Sequence, residues 1–204
     1  MDLDDFIKKN TVEFDSSHDY NHAKRVQAYA YRIARSMGIT SETQLLIIQY
    51  AAGVHDLLDH KYIPTITKDM LISYLESKIG AELARIVIDI TENISYSKEV
   101  RGELTNIGEY QLLRDIVSDA DKIDALGEMG IIRCIEFTKS RLAKTTSMNF
   151  ICDEIILAEV VNHCNEKLIH LKDNYIRTFP GKLIAESGHN FIIDWLKCPT
   201  ILSE

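Results

Sequence analysis

The sequence predicts an all-α protein, built as a compact bundle of helices. Apolar residues recur at helical spacings of three and four along most of the chain, and no segment shows the alternating pattern of a half-buried strand. Only three prolines and nine glycines interrupt 204 residues, which suits helices joined by short connections. The length is that of one domain or a tight pair, and is enough for a substantial core.

Composition narrows the class of protein further. The chain is 46% hydrophobic and 26% charged, as in ordinary soluble proteins, and its net charge of −8 argues against a broad nucleic-acid or membrane surface. An acidic protein can still bind a nucleotide through a metal and a few local cations. Four scattered cysteines without a CxxC pair indicate reduced thiols, and the start of the chain lacks the apolar stretch of a secretory signal. We therefore expect a cytoplasmic protein.

The first elements place a histidine on an apolar helix face. A short helix is expected over residues 2–9, followed by a second that a serine at position 16 or 17 caps and that runs to about position 37. The apolar face of this second helix includes Val26 and ends one turn earlier at His22. His18, another turn back, is expected at the start of the helix.

The most apolar helix of the chain ends in a histidine and an aspartate. Ser41 is the predicted cap, and the run from Leu45 to Val54 is typical of a helix buried on nearly all sides. It ends at His55-Asp56, and an imidazole beside a carboxylate in such a place needs partners. For the dipeptide alone, hydrogen bonds within the protein are the commoner explanation, and a divalent metal is the alternative.

The middle of the chain is predicted to be two helices and a loop. After a turn at Pro64, one helix is expected from Thr67 to about position 78 and another over residues 80–93. Residues 95–109 carry no clear period, and we interpret them as a mobile loop that lies over a site.

The next helix, from Tyr110, carries four aspartates. At about 100° per residue, Asp124 lies nearest the centre of the apolar face, whereas Asp119 and Asp121 lie near its edges. Asp115 suits a solvated face. Periodicity therefore favours Asp124 as the buried carboxylate and leaves Asp121 open.

The remainder is also predicted to be helical. One helix is expected over residues 130–143, and a long helix is expected from about position 149 to 178. Pro180-Gly181 is predicted to break the chain before a last helix that carries Trp195 inward.

Taken together, these segments predict a metal site. His22, His55, Asp56 and Asp121 each lie at the inner end or edge of an apolar helix face. Two imidazoles and two carboxylates form a mixed donor set that suits one Mn²⁺, Mg²⁺ or Fe²⁺ ion better than Zn²⁺. Four ligands leave open positions on a six-coordinate ion, as a hydrolytic metal requires.

Three segments resemble the H…HD…D signature of the HD-domain metal-dependent phosphohydrolases. They are Ser-His-Asp-Tyr-Asn-His-Ala-Lys-Arg-Val at 17–26, Val-His-Asp at 54–56 and Val-Ser-Asp-Ala-Asp-Lys-Ile-Asp-Ala-Leu-Gly at 117–127. Thr-Glu-Asn-Ile-Ser-Tyr at 91–96 and Asn-His-Cys-Asn-Glu-Lys-Leu at 162–168 also resemble a small single-domain branch of that family. The resemblance covers about residues 15–197 and implies one HD domain over 1–204. It implies the ligands His22, His55, Asp56 and Asp121, with Asp124 in a buried supporting role.

The resemblance also implies a reaction. We expect cleavage of a phosphoester or phosphoanhydride by a metal-activated water, with a small phosphate substrate such as a nucleoside triphosphate, cut to monophosphate and pyrophosphate. Asp59 is expected to orient the water, and Lys61 and Arg25 to neutralise phosphate charge. The alternative interpretations, without a role in the reaction, are a solvated cation for Lys61 and a salt bridge to Asp19 or Glu42 for Arg25.

The partner expected for this protein is a small molecule that contains phosphate. No nucleic-acid polymer and no membrane is expected as a partner, and the assembly is expected to be a monomer or homodimer. Lys98 and Arg101, in the 95–109 segment, are further candidates for contact with phosphate. The alternative function is a regulatory HD module that binds a metal or nucleotide without turnover.

Overall fold

The computed structural model describes residues 1–14, 18–58, 66–145 and 152–202, and these ranges contain helices and no strand, which confirms the predicted class. Nine α-helices lie within them: α1 Leu3–Asn10, α2 Tyr20–Ser36, α3 Glu42–Val54, α4 Lys68–Glu92, α5 Tyr96–Val100, α6 Gln111–Asp124, α7 Gly127–Thr145, α8 Asp153–His163 and α9 Phe179–Trp195. A 3₁₀ turn, Gly108–Tyr110, precedes α6, and two π-helical turns, Cys164–Leu168 and Leu171–Tyr175, continue α8.

Helix α6 lies at the centre of the bundle, where it packs against α2, α3, α4 and α9. Its apolar face is fully buried at Ile116, Val117 and Ala120. Helix α3 packs on α2, and Gly53 makes their close approach possible, because a Cβ there would lie 2.9 Å from the Gln27 side chain. This packing brings the start of α2, the end of α3 and the last turns of α6 to one place.

Side-chain caps begin several of these helices. Ser41 accepts a hydrogen bond from the Gln44 backbone N–H, and Thr67 caps α4 in the same way, as predicted. The cap of α2 differs from the prediction. Asp19 accepts from the His22 backbone N–H and begins the helix at Tyr20, whereas positions 16 and 17 lie outside the described residues.

The prediction of a loop over residues 95–109 was correct for residues 101–107 but missed helical turns at both ends. The segment contains α5 and the 3₁₀ turn. It is held in place by side-chain contacts with other parts of the chain. Asn93 Oδ1 accepts from both the backbone N–H and the hydroxyl of Thr105, and the buried Glu99 carboxylate pairs with Lys122 of α6. These contacts connect residues distant in sequence, which periodicity alone does not report.

Other helix boundaries were either confirmed or moved. The two helices predicted to meet near position 80 are confirmed, because α4 consists of two helical segments joined by a kink at Gly80, whose φ of +80° is a conformation that suits glycine. Helix α7 begins three residues earlier than expected, and the long helix predicted to reach position 178 changes to π-helical turns after His163. Pro180 does not break the chain but lies in the first turn of α9, where its missing N–H costs nothing, and Thr178 caps that helix.

Within the described ranges, no helix is both long enough and apolar enough to cross a membrane. The four cysteines are free thiols.

Candidate metal centre

Four side chains converge where α2, α3 and α6 meet. His22 Nε2 and His55 Nε2 are 3.2 Å apart, and Asp56 Oδ2 lies 3.2 Å from each of them. Asp121 Oδ1 lies 3.6 Å from both nitrogens. Ligands bound at about 2.1 Å stand roughly 3.0 to 3.4 Å apart in octahedral or tetrahedral coordination. The three 3.2 Å spacings lie in this range and the two to Asp121 lie slightly above it, so the cluster has dimensions that fit one ion.

His22 is aimed at this point by a carboxylate behind it. The residue lies in the first turn of α2, and its ring is 1% exposed. Nδ1 lies 2.7 Å from Asp124 Oδ2, and because that carboxylate also binds two arginines it is ionised, so Nδ1 carries the proton and donates. The unprotonated Nε2 therefore faces the cluster with its lone pair.

His55 is oriented by the backbone. Its Nδ1 donates to the Ala52 carbonyl oxygen at 2.8 Å, in the last turn of α3, and this bond points Nε2 at the cluster, 3.2 Å from His22 Nε2. Burial lowers the pKa of His55, but the charge of Asp56 and the hydrogen bonds with Asp121 and Asp56 raise it well above its ordinary value, so without a metal cation the ring takes up a proton at this point. Asp56 Oδ2 is buried without a hydrogen-bond partner at the same place, and a buried oxygen of that kind is costly unless it coordinates.

The electrostatics of the cluster point the same way. Burial raises the pKa of Asp56, but His55 and His18 lower it further, so the carboxyl stays ionised well below its usual range. Burial also raises the pKa of Asp121, and the hydrogen bond and charge of His55 outweigh it, so this pKa is lowered too. Two ionised carboxylates that attract positive charge to this point form a site of negative potential that fits a divalent cation.

The structure separates the two aspartates that periodicity left open. Asp124 is 2% exposed at its side chain and lies behind His22, whereas Asp121 is 35% exposed and lies at the open side of the cluster. Asp119 is fully buried and accepts hydrogen bonds from the Arg177 and Thr178 backbone N–H groups and the Thr178 hydroxyl, so it fastens the segment before α9.

Of the residues predicted to orient water or contact phosphate, only Arg25 lies within the described ranges. Asp59 and Lys61 lie outside the described residues. Arg25 does not project into the site, because its Nε and one terminal nitrogen bind the two Asp124 oxygens at 2.7 and 3.1 Å. A salt bridge is therefore its observed role, with Asp124 in place of the expected Asp19 or Glu42.

A cavity of about 1070 Å³ opens beside the cluster, and His55, Asp56 and Asp121 form part of its wall. Among the described residues, six lysine and arginine side chains line it: Lys68, Lys98, Arg101, Lys122, Arg133 and Lys167. Lys122 is 3% exposed and pairs with Glu99, while Arg133 pairs with Asp124. The lining is therefore cationic although the chain as a whole is acidic.

Sequence reasoning missed several residues of this site. Arg133 and Lys122 are nearly buried cations, and Glu99 is a nearly buried anion on the segment interpreted as a loop. The position of Lys122 beside Asp121 was a signal for proximity to the candidate metal site. The sequence contains no such signal for Arg133 or Glu99, because the position of each side chain depends on an ion pair with a residue of another helix.

Comparison with known proteins agrees with this geometry. No family model matches the chain. The uncharacterised protein YpgQ of Bacillus subtilis strain 168 is 30% identical over 198 residues, which cover 94% of this chain and 87% of YpgQ. The crystal structure of YpgQ in complex with ADP superposes with a TM-score of 0.71 at 25% identity, covering 96% of this chain and 92% of that one.

A second solved structure carries a family description. An HD-superfamily hydrolase from Bacillus thuringiensis has a TM-score of 0.66 at 25% identity, with 96% of this chain and 91% of that one covered. The helical fold and the histidine–aspartate cluster both accord with this likeness. The chain belongs to the HD superfamily of hydrolases, in the branch that includes YpgQ.

Proposed function

We propose that this protein is a metal-dependent phosphohydrolase whose substrate is a nucleotide, with His22, His55, Asp56 and Asp121 as ligands of one divalent ion. The observation that carries the proposal is the convergence of His22 Nε2, His55 Nε2 and Asp56 Oδ2, each 3.2 Å from the other two. The buried Asp56 oxygen without a hydrogen-bond partner supports it. The mixed nitrogen and oxygen donors favour Mn²⁺, Fe²⁺ or Mg²⁺ over Zn²⁺.

The chain's own groups prepare the site for hydrolysis. A divalent ion at this place would supply an acidified water and polarise a phosphoryl oxygen. Asp124 and the Ala52 carbonyl hold the two imidazoles in the tautomers that coordinate. The more exposed Asp121 marks the side on which substrate enters, because the cavity opens there. For Asp59 and Lys61, orientation of water and contact with phosphate remain part of the proposal.

Nucleotide substrates are supported by the cavity and by a relative. YpgQ has been crystallised with ADP. The cavity of this chain, at about 1070 Å³, is at the upper end of the volume range of small-molecule pockets and has cations on its walls. Lys98, Arg101 and Lys122 are candidates to bind phosphate oxygens. We propose cleavage of nucleoside triphosphates to monophosphate and pyrophosphate, because a long phosphate chain uses cations on several walls at once.

Metal analysis of an Asp56→Ala variant tests the site. The wild-type protein, loaded with Mn²⁺ and desalted, is expected to hold one ion per chain, and Asp56→Ala is expected to hold none, because it removes a ligand that touches both imidazoles. Asp194→Ala, which removes an exposed carboxylate from a surface pair, is the matched control and should keep the ion. Full metal content in Asp56→Ala would refute the ligand set.

A panel of nucleotides with Mn²⁺ tests the reaction. Release of pyrophosphate from nucleoside triphosphates by the wild-type protein, and its loss in Asp56→Ala, are the expected results. Binding of metal and nucleotide with no turnover across triphosphates, monoesters and diesters would instead make the protein a regulatory module.

A further inference from the structure

The cavity continues past the metal centre along α7. Arg133 Nη1 lies 2.6 Å from the Asp124 carboxylate that holds His22, so it marks the metal end of this helix. Phe137 lines the same cavity one turn later, about 6 Å further along the helix axis. The cavity thus reaches well beyond the space that an ion and its first phosphate contacts require.

The lining changes character at that end. Cys134, Phe137 and His163 line the main cavity and also a neighbouring depression of about 450 Å³ between α7 and α8. Phe137 is 36% exposed, and its ring stacks on no aromatic side chain in the described part of the chain. An aromatic ring that faces both solvent and a cavity leaves a flat apolar surface available to a ligand.

His163 adds hydrogen-bonding capacity beside this ring. Its imidazole forms no hydrogen bond with any residue that the structure describes. Burial, followed by the charge of Lys167, lowers its pKa to about 4, so the ring is neutral at pH 7. A neutral imidazole offers one N–H donor and one nitrogen acceptor, and it can exchange the two by changing tautomer.

We propose that Phe137 and His163 form the nucleobase subsite of this cavity, with Phe137 stacking on the base and His163 forming a hydrogen bond with its edge. The inference rests on the proposed function, which supplies the phosphate end of the ligand. Stacking is stronger for a larger ring system, and a histidine that exchanges tautomers tolerates different base edges. The subsite therefore favours purine over pyrimidine nucleotides without strict selection among purines.

Inorganic tripolyphosphate separates the two ends of the cavity, because it has phosphoanhydride bonds and no base. In steady-state assays with Mn²⁺, Phe137→Ala is expected to raise the KM for ATP about tenfold, as loss of one stacked base does, and to leave the KM for tripolyphosphate unchanged. The purine preference of the wild-type enzyme should fall in the same variant. His163→Ala should raise the KM for ATP by a smaller factor.

Two variants serve as matched controls. Phe191→Ala removes another phenylalanine that is 36% exposed, on α9 and away from both cavities, and should leave both substrates unaffected. His170→Ala removes an exposed histidine just beyond His163 that lines neither cavity, with the same expected result. Equal changes for ATP and tripolyphosphate in Phe137→Ala would overturn the subsite.

Equilibrium binding distinguishes failure of the subsite from failure of the proposed function. Calorimetric titration of the metal-loaded protein with ATP and with tripolyphosphate gives the same contrast without turnover. Phe137-dependent binding of ATP without cleavage would support the subsite and refute the enzyme. Cleavage of ATP with a KM that does not depend on Phe137 would support the enzyme and refute the subsite, and binding of neither compound would refute both.

Discussion

Asp124 is the residue on which the geometry of the candidate metal centre depends. Burial raises its pKa, but hydrogen bonds from His22 and Arg25 and the charge of Arg133 lower it further, so it remains ionised although it is almost fully buried. Its negative charge fixes the tautomer of His22. The positive charges of Arg25 and Arg133 compensate this negative charge. A carboxylate in this position acts through the histidine and does not need to touch the ion.

Substitution of Asp124 should affect mainly stability, whereas substitution of Asp121 should affect mainly metal binding. Asp124→Asn leaves two arginines beside a neutral amide, so we expect the free energy of unfolding, measured by urea titration in EDTA, to fall by about 3 kcal/mol. Asp121→Asn alters a carboxylate that is 35% exposed and should cost under about 1 kcal/mol. Metal content should show the reverse order, with loss in Asp121→Asn and weakened binding in Asp124→Asn. If Asp121→Asn kept the ion and Asp124→Asn lost it at saturating metal, the assignment would be wrong.

His163 gives the stability of the protein a dependence on acid. Its pKa of about 4 in the folded state lies below the ordinary value of about 6.5. Between these values the unfolded chain binds a proton that the folded chain does not, so stability rises with pH and is lost as the pH falls from about 6.5 to about 4.

Urea unfolding at pH 7.0 and pH 4.5 should reveal this dependence. The wild-type protein is expected to lose up to about 3 kcal/mol more than His163→Gln between these two pH values. His170→Gln, on the exposed side of the same region, should lose as much as the wild type. Equal losses in wild type and His163→Gln would show that the imidazole titrates in the folded state as it does in the unfolded chain.

Among the secondary-structure elements, the short helix α5 is held beside the cavity by an ionic network. Glu99 of α5 pairs with Lys122 of α6 and with Arg177, which precedes α9 and also contacts Asp115. Lys122 and Glu99 are 3% and 8% exposed, so this pair is shielded from solvent, whereas Arg177 is 35% exposed. The network holds Lys98 at the cavity wall.

Glu99→Gln should loosen α5 selectively. Removal of the charge leaves Lys122 buried beside a neutral group, so we expect the free energy of unfolding to fall by about 2–3 kcal/mol. Amide hydrogen exchange over residues 95–103 should accelerate more than tenfold. Glu103→Gln, which breaks an exposed pair with Arg101 in the same segment, is the control and should leave the free energy of unfolding close to that of the wild type. Equal exchange rates in the two variants would contradict this anchoring role.

At the scale of the whole molecule, the candidate centre joins three helices distant in sequence, so a bound ion should stabilise the fold. At a free metal concentration about one hundred times the Kd, linkage predicts about 2.7 kcal/mol, or a rise of roughly 5–10 °C in Tm for a protein of this size. Differential scanning calorimetry with Mn²⁺ and with EDTA measures the shift. Asp56→Ala should show none, and a shift of the same size in that variant would place the ion elsewhere.

The helical class and the approximate course of most helices follow from the amino-acid sequence. Apolar spacing shows directly which face of a helix is buried, and Ser41 and Thr67 mark helix starts by local hydrogen bonds. The same apolar spacing predicted that His22 and His55-Asp56 lie at the inner ends of two helices. Their roles as ligands remain proposals.

How these helix ends meet depends on the packing of the helices and could not be predicted from the sequence. Asp121 and Asp124 are both inward on α6, three residues apart, and a period of 100° per residue cannot show which of them faces the imidazoles. The packing of α2 and α3 on α6 makes that choice. Arg25 and Glu99 follow the same rule, because each is oriented by an opposite charge about 100 and 23 positions away along the chain, Asp124 and Lys122 respectively, which only folding brings into contact.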